Sequence, residues 1–224
     1  VVSPESFKGV LTRGLRLVLV LIIPATVGLL LLGRPVIELV FQHGAFTAAD
    51  TTEALRALRV YLIGLPFTAI DLPLVFGFYA QKDTRTPVIV GILAVVAYLI
   101  VAPLLAFVFG WGYIGLVAGN SVQWLVHAVI MLVVFARRFG GMGAYGVLRS
   151  MWQALAASCA MGVIVYAAYR LMLSVAPAGV LGSALLALVP MLIGGLGYLG
   201  FARALHVQEI DLLAGALRRR LAAH

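Results

Sequence analysis

The sequence predicts an all-α, polytopic membrane bundle: six transmembrane helices and one short interfacial helix. Two observations carry this. Of 224 residues, 63% are apolar and only 11% charged, whereas a soluble domain keeps roughly 45–50% apolar and ~25% charged residues to clothe its core. The apolar residues also gather into six runs long enough to cross about 30 Å of hydrocarbon, and none shows the alternation of a barrel strand. A mean hydropathy of +1.12 agrees. A soluble enzyme, an ordinary nucleic-acid binder and a disordered chain are excluded on this ground.

The spans fall at about Leu17–Gly33, Val60–Ala80, Val88–Phe109, Tyr113–Ala136, Met151–Leu173 and Leu181–Ala202. The one long connection, between the first two, has its own signals. Pro35 suits a first helical position and Gly44 a helix end, so a separate helix is expected over Pro35–His43. Its Val36, Leu39 and Val40 form a stripe that can lie in the membrane interface. Thr47 and Asp50 have capping-box spacing, which starts the next helix near Ala48. Pro24, Pro66, Pro73, Pro103 and Pro190 lie within spans, where neighbouring helices must satisfy the carbonyls they free. Four glycines, Gly194, Gly195, Gly197 and Gly200, give the last span a smooth strip, read either as close helix packing or as a groove for a lipid tail.

Basic residues set the orientation. With the first span entered from the cytoplasm, Lys8, Arg13, Arg16, Lys82, Arg85, Arg137, Arg138, Arg149, Arg203 and Arg218–Arg220 lie inside, against Arg34, Arg56, Arg59 and Arg170 outside. This bias places both ends in the cytoplasm. It also accounts for the net charge of +8 without a nucleic-acid partner. The Arg218–Arg220 run reads as a tail facing lipid headgroups. The organisation expected is four membrane helices over 1–145, an incomplete lobe, then two helices and a basic tail over 146–224. The chain begins Val1-Val2-Ser3-Pro4 and reads as part of something longer.

No nucleophile–base pair, phosphate loop or metal-ligand spacing appears, so neither catalysis nor a metal or other cofactor is expected. The single Cys159 reads as a small buried hydrophobe. The one acidic residue within a span is Asp71, which is costly in hydrocarbon and needs a partner or a cavity. Asn120, Gln123 and His127 form a polar stripe on the fourth span, either interhelical glue or the lining of a polar cavity. Span midpoints put Asp71 level with Gln123 and His127, so the second and fourth spans are expected to pack through them. In the turn after the second span, Asp83 and Thr84 are expected to cap the following helix, with Pro87 in its first turn and Lys82 and Arg85 near the headgroups.

Two segments, VFQHGAFTAADT (Val40–Thr51) and FYAQKDTRTPV (Phe78–Val88), resemble telling segments of the MurJ/MviN family, lipid II flippases of the multidrug/oligosaccharidyl-lipid/polysaccharide exporter superfamily. The first carries Gly44, Phe46, Thr47 and Asp50; the second carries Lys82, Asp83, Thr84, Arg85, Thr86 and Pro87. The resemblance implies that these are helices nine to fourteen of a fourteen-helix transporter of the bacterial cytoplasmic membrane, whose other helices line a basic cavity. It implies carriage of an undecaprenyl-pyrophosphate-linked peptidoglycan precursor, lipid II, from the inner to the outer leaflet by alternating access. Membrane lipids and the missing N-terminal helices are then its partners, and the last two helices hold the lipid tail. Some relatives carry an Asn/Asp pair for a coupling cation where this chain has Tyr98 and Ala102, so a sodium site does not carry over. Many have a mid-helix basic residue where this chain has Asp71 and Leu72. The alternatives are a polysaccharide-precursor or drug exporter of the same superfamily, or a non-transporting scaffold for cell-wall machinery.

Overall fold

The computed structural model describes residues 4–141, 145–177 and 179–210. Six helices are long and apolar enough to cross a membrane, and no strand occurs among the described residues. They are α1 (Pro4–Phe41), α2 (Ala48–Ala80), α3 (Arg85–Pro103, continued by a π-helical turn over Leu104–Val108), α4 (Tyr113–Phe139), α5 (Val147–Leu173) and α6 (Val180–Ala204). Exposed side chains such as Ile92, Leu99, Phe107 and Leu196 are apolar, as in a multi-pass membrane protein. Two compact units divide the chain: Val1–Ile22 with Thr52–Val147, and Ile23–Thr51 with Leu148–His224. The Arg218–Arg220 run lies outside the described residues.

The first unit packs on side chains from four helices. Phe7, Leu11 and Leu15 of α1 meet Leu74 and Phe78 of α2, Val90 of α3, and Met131 and Phe135 of α4. Their i, i+4 spacing puts each set on one face. Phe78 meets Phe135 and Phe139 edge-on, with ring centroids 6.3 and 5.8 Å apart, the geometry an aromatic quadrupole favours. The α3–α4 contact is closer still. A Cβ on Gly119 would stand 2.5 Å from the Ala102 Cβ, and one on Gly115 would stand 2.5 Å from the Ala106 backbone nitrogen. Two small residues four apart on each helix let the backbones touch, which is how helices pack where no hydrophobic force drives them together.

In the second unit, α5 buries Ala154, Ala157, Met161, Gly162 and Val165. Gly162 packs against Val27 and Leu31 of α1. Gly194 of α6 lies against Val165, where an added Cβ would come within 2.3 Å of its Cγ2.

Three expectations are corrected. Pro35–His43 is not a separate interfacial helix, because α1 runs unbroken from Pro4 through Pro35 to Phe41. Pro35 removes a single i to i−4 hydrogen bond, and the remaining bonds of the long helix carry it past that point. Arg34 also pairs with Glu38 at 2.9 Å across that turn. Thr84 makes no side-chain cap bond; Asp83 does this alone. Cys159 is exposed, because the buried face of α5 runs through Ser158 and Gly162 and leaves it outside. Pro103 is followed by a π turn, closed by Phe109 N–H donating to the Leu104 carbonyl at 3.0 Å.

Candidate functional site

The site is built on α2 and α4, which run in the same direction and touch at four levels. At the start of both helices, the Tyr113 hydroxyl donates to the Glu53 carboxylate. One level on, Ser121 Oγ donates to the Val60 carbonyl at 3.1 Å. Gly64 makes this approach feasible, since a Cβ there would stand 2.9 Å from the Ser121 Cα. Deeper, His127 Nδ1 stands 2.6 Å from Asp71 Oδ1. At the far end, Arg138 donates to Asp83 in the turn after α2.

The third level is the one with chemistry. Asp71 is 4% exposed and His127 9%, both well inside helices long and apolar enough to cross the hydrocarbon. An unpaired carboxylate there would be expensive; the imidazole N–H satisfies it. A cavity of about 340 Å³ opens on the pair, with Gln123, Trp124, Tyr79 and Gly91 in its wall. Gly91 on α3 leaves room for the ring: a Cβ at that position would lie 3.7 Å from His127 Nε2. Nδ1 is therefore engaged, and Nε2 faces α3 beside the cavity. Trp124 stands edge-on to the imidazole with centroids 6.4 Å apart. Of the polar stripe, Gln123 and His127 line the cavity, while Asn120, partly buried one turn earlier, is not in its wall.

The turn after α2 ends that helix in a Schellman arrangement. Asp83 N–H donates to the Phe78 carbonyl and Lys82 N–H to that of Tyr79, with Lys82 left-handed at φ 59°, where glycine is usual. Asp83 then caps α3: its Oδ1 accepts from the backbone N–H groups of Arg85 and Thr86, each at 3.1 Å, and its Oδ2 from the Thr86 hydroxyl at 2.6 Å. Those Thr86 bonds, with Arg138 alongside, hold the Asp83 carboxyl down at about 2. Pro87 is buried in the first turn of α3.

The outer-loop residues also have structural partners. Thr47 N–H and Oγ1 donate to Asp50 Oδ2 at 2.8 and 2.7 Å, and the Asp50 N–H returns a bond to Thr47 Oγ1 at 3.4 Å, a reciprocal capping box that starts α2. Phe46 lies against Phe41, ring centroids 6.1 Å apart, and Gly44 turns the chain at φ 62°. The α6 glycines divide. Gly194 and Gly197 face Val165 and Ile164 of α5, while Gly195 and Gly200 have open space where a side chain would be.

Sequence reasoning missed Arg138, Tyr113, Glu53 and Glu209. Glu209 is almost fully buried, with Ser150 Oγ 3.4 Å from its Oε1. Among the described residues no three His, Cys, Asp or Glu side chains gather into a metal-holding group.

A family model described as "Lipid II flippase MurJ" matches residues 4–189. A Bdellovibrio bacteriovorus protein named "Probable lipid II flippase MurJ" is 28% identical over 207 residues, 92% of this chain and 39% of that protein. A Vibrio cholerae protein of the same name is 32% identical over 127 residues, 57% of this chain and 24% of that protein. A solved structure titled "Lipid II flippase MurJ, inward closed conformation" is similar with a TM-score of 0.73 and 25% identity, over 92% of this chain and 40% of that one. The chain thus spans 24% and 39% of the length of these two curated relatives.

Proposed function

Because the chain belongs to the lipid II flippase MurJ family, we propose that it is the C-terminal part of a transporter that carries lipid II across the cytoplasmic membrane. In this reading the undecaprenyl-pyrophosphate-linked precursor moves from the inner to the outer leaflet by alternating access, and the six helices are the ninth to fourteenth of fourteen. The observation that carries it is the family match over residues 4–189. Chemistry is consistent with it: moving a headgroup across hydrocarbon asks for shielding and a change of access rather than a nucleophile or an acid–base pair.

Both ends of the chain lie in the cytoplasm in this reading, supported by the positive-inside count. The turn Lys82–Pro87 then sits at the cytoplasmic face, and the Gly44–Asp50 segment at the outer face. The lipid tail lies along the exposed side of α5 and α6, where Gly195 and Gly200 leave open space. The test is rescue of a flippase-depleted bacterium by the whole gene that contains this chain. Restored growth with lipid II appearing in the outer leaflet supports the proposal. Lysis despite full expression in the membrane overturns it.

A further inference from the structure

We propose that the Asp71–His127 pair is a proton-binding site, loaded and unloaded at His127 Nε2, and that its occupancy couples to the lobe's transport movement. This rests on the flippase reading for the word transport; the proton site itself does not.

The geometry separates the two ring nitrogens. Nδ1 is committed to Asp71 Oδ1 at 2.6 Å. Nε2 faces α3 at Gly91, in the wall of a cavity of about 340 Å³, far above the roughly 10–15 Å³ that one water needs. With a neutral imidazole the pair carries a net charge of −1; one proton on Nε2 brings it to zero. No other bond needs to change, because Nδ1–H donates to the carboxylate in both states. A purely structural partner for Asp71 would need no cavity at its free nitrogen. A metal ion would need more ligands than these two side chains and the Gln123 amide supply.

The change in charge acts where α2 yields most readily. Pro66 and Pro73 lie within α2 on either side of Asp71, and each removes one i to i−4 hydrogen bond. A pair at −1 favours a hydrated, open cavity; a pair at zero tolerates a closed one. Few other groups compete. Tyr79 of α2 is the other titratable side chain in the cavity wall; α3 contributes only apolar residues to it, and α4 adds Gln123 and Trp124. From α1, Lys8 and Arg16 lie instead beside Gly140 and Gly146, outside this wall.

The site is tested by nitrogen-15 NMR of the whole protein in lipid bilayers between pH 5 and 9, with His127 assigned by its loss in His127→Gln. The expected result is a single protonation change at Nε2 within this range, displaced in Asp71→Asn. An imidazole that keeps one protonation state across the range, or one whose titration ignores Asp71→Asn, overturns the proposal. Coupling is tested by translocation of fluorescent lipid II in proteoliposomes. The wild type should change rate at least threefold across the same pH midpoint, and Asp71→Asn should lose that dependence. A variant with the wild-type pH profile overturns the coupling. Wild-type protein that moves no lipid II at any pH fails the flippase reading alone, and the NMR result still decides the proton site.

Discussion

The α2–α4 pair and the α5–α6 pair cross the same thickness of hydrocarbon by opposite means. Between α2 and α4 an apolar contact of Phe78 with Phe135 and Phe139 is joined by polar ones spaced along the helices: Glu53 with Tyr113, Val60 with Ser121, Asp71 with His127, then Asp83 with Arg138. Between α5 and α6 the contacts within the spans are steric, with Gly194 and Gly197 seated on Val165 and Ile164, and the polar ones, Gln153 Nε2 to the Leu205 carbonyl at 2.7 Å and Ser150 to Glu209, lie past the end of α6. Interhelical hydrogen bonds in membranes contribute about 0.6 kcal/mol each on average, so each polar contact can be exchanged singly. A glycine seam holds over continuous surface and has no such intermediate state.

The difference can be broken from the polar side. His127→Ala leaves the Asp71 carboxylate buried without its imidazole, and loss of one partner of a buried pair costs about 3 kcal/mol. Thermal unfolding in detergent should show the largest fall of any single change on α4, and Asp71→Asn with His127 intact should cost less. Equal, small losses from both would mean that the pair holds nothing.

It can be sharpened on the steric side with two neighbouring glycines. Gly194→Val drives a side chain into Val165 and should cost about 1–3 kcal/mol, while Gly195→Val, with open space before it, should be close to neutral. The same assay reads both. Identical behaviour would remove the seam.

Asp83 gives a smaller, pH-dependent effect. Its carboxyl is held at about 2 in the folded protein, below the ordinary value near 3.9. A depressed folded value means stability that is complete above about pH 4 and lost as pH falls toward 2. Asp83→Asn should therefore flatten the acid limb of the stability–pH curve, and a limb of unchanged slope would place the effect elsewhere. The smallest change is at the end of α6, where His206 is left-handed at φ 54°. His206→Gly should stabilise the fold by about 0.5–1 kcal/mol and raise the unfolding midpoint accordingly.

Much of this was legible in the sequence because the bilayer imposes a length and a composition. The six spans follow from hydropathy, and the start of α2 from Thr47 and Asp50, three residues apart. Asp71 could be matched with His127 because a carboxylate in hydrocarbon needs a partner at its own depth, and span midpoints give depth. What stayed hidden depends on neighbours far along the chain. Arg138 looked like any cytoplasmic arginine until α4 brought it to Asp83. Gly115 and Gly119 became a packing face only beside Ala102 and Ala106. Ser121 fell off the polar stripe, yet it is the residue that ties α4 to the Val60 carbonyl. Pro35 misled because a proline that suits a first helical position can also sit inside a continuing helix, where it costs one hydrogen bond and the Arg34–Glu38 pair spans the turn.

The coupling proposed for the Asp71–His127 contact is tested by exchanging the two residues. In a flippase-depleted bacterium carrying the whole gene, Asp71→His and His127→Asp alone should each abolish growth, because each puts two like groups face to face. The double exchange, which restores one carboxylate opposite one imidazole, should recover growth. Single exchanges that grow like wild type at equal membrane levels would contradict the account.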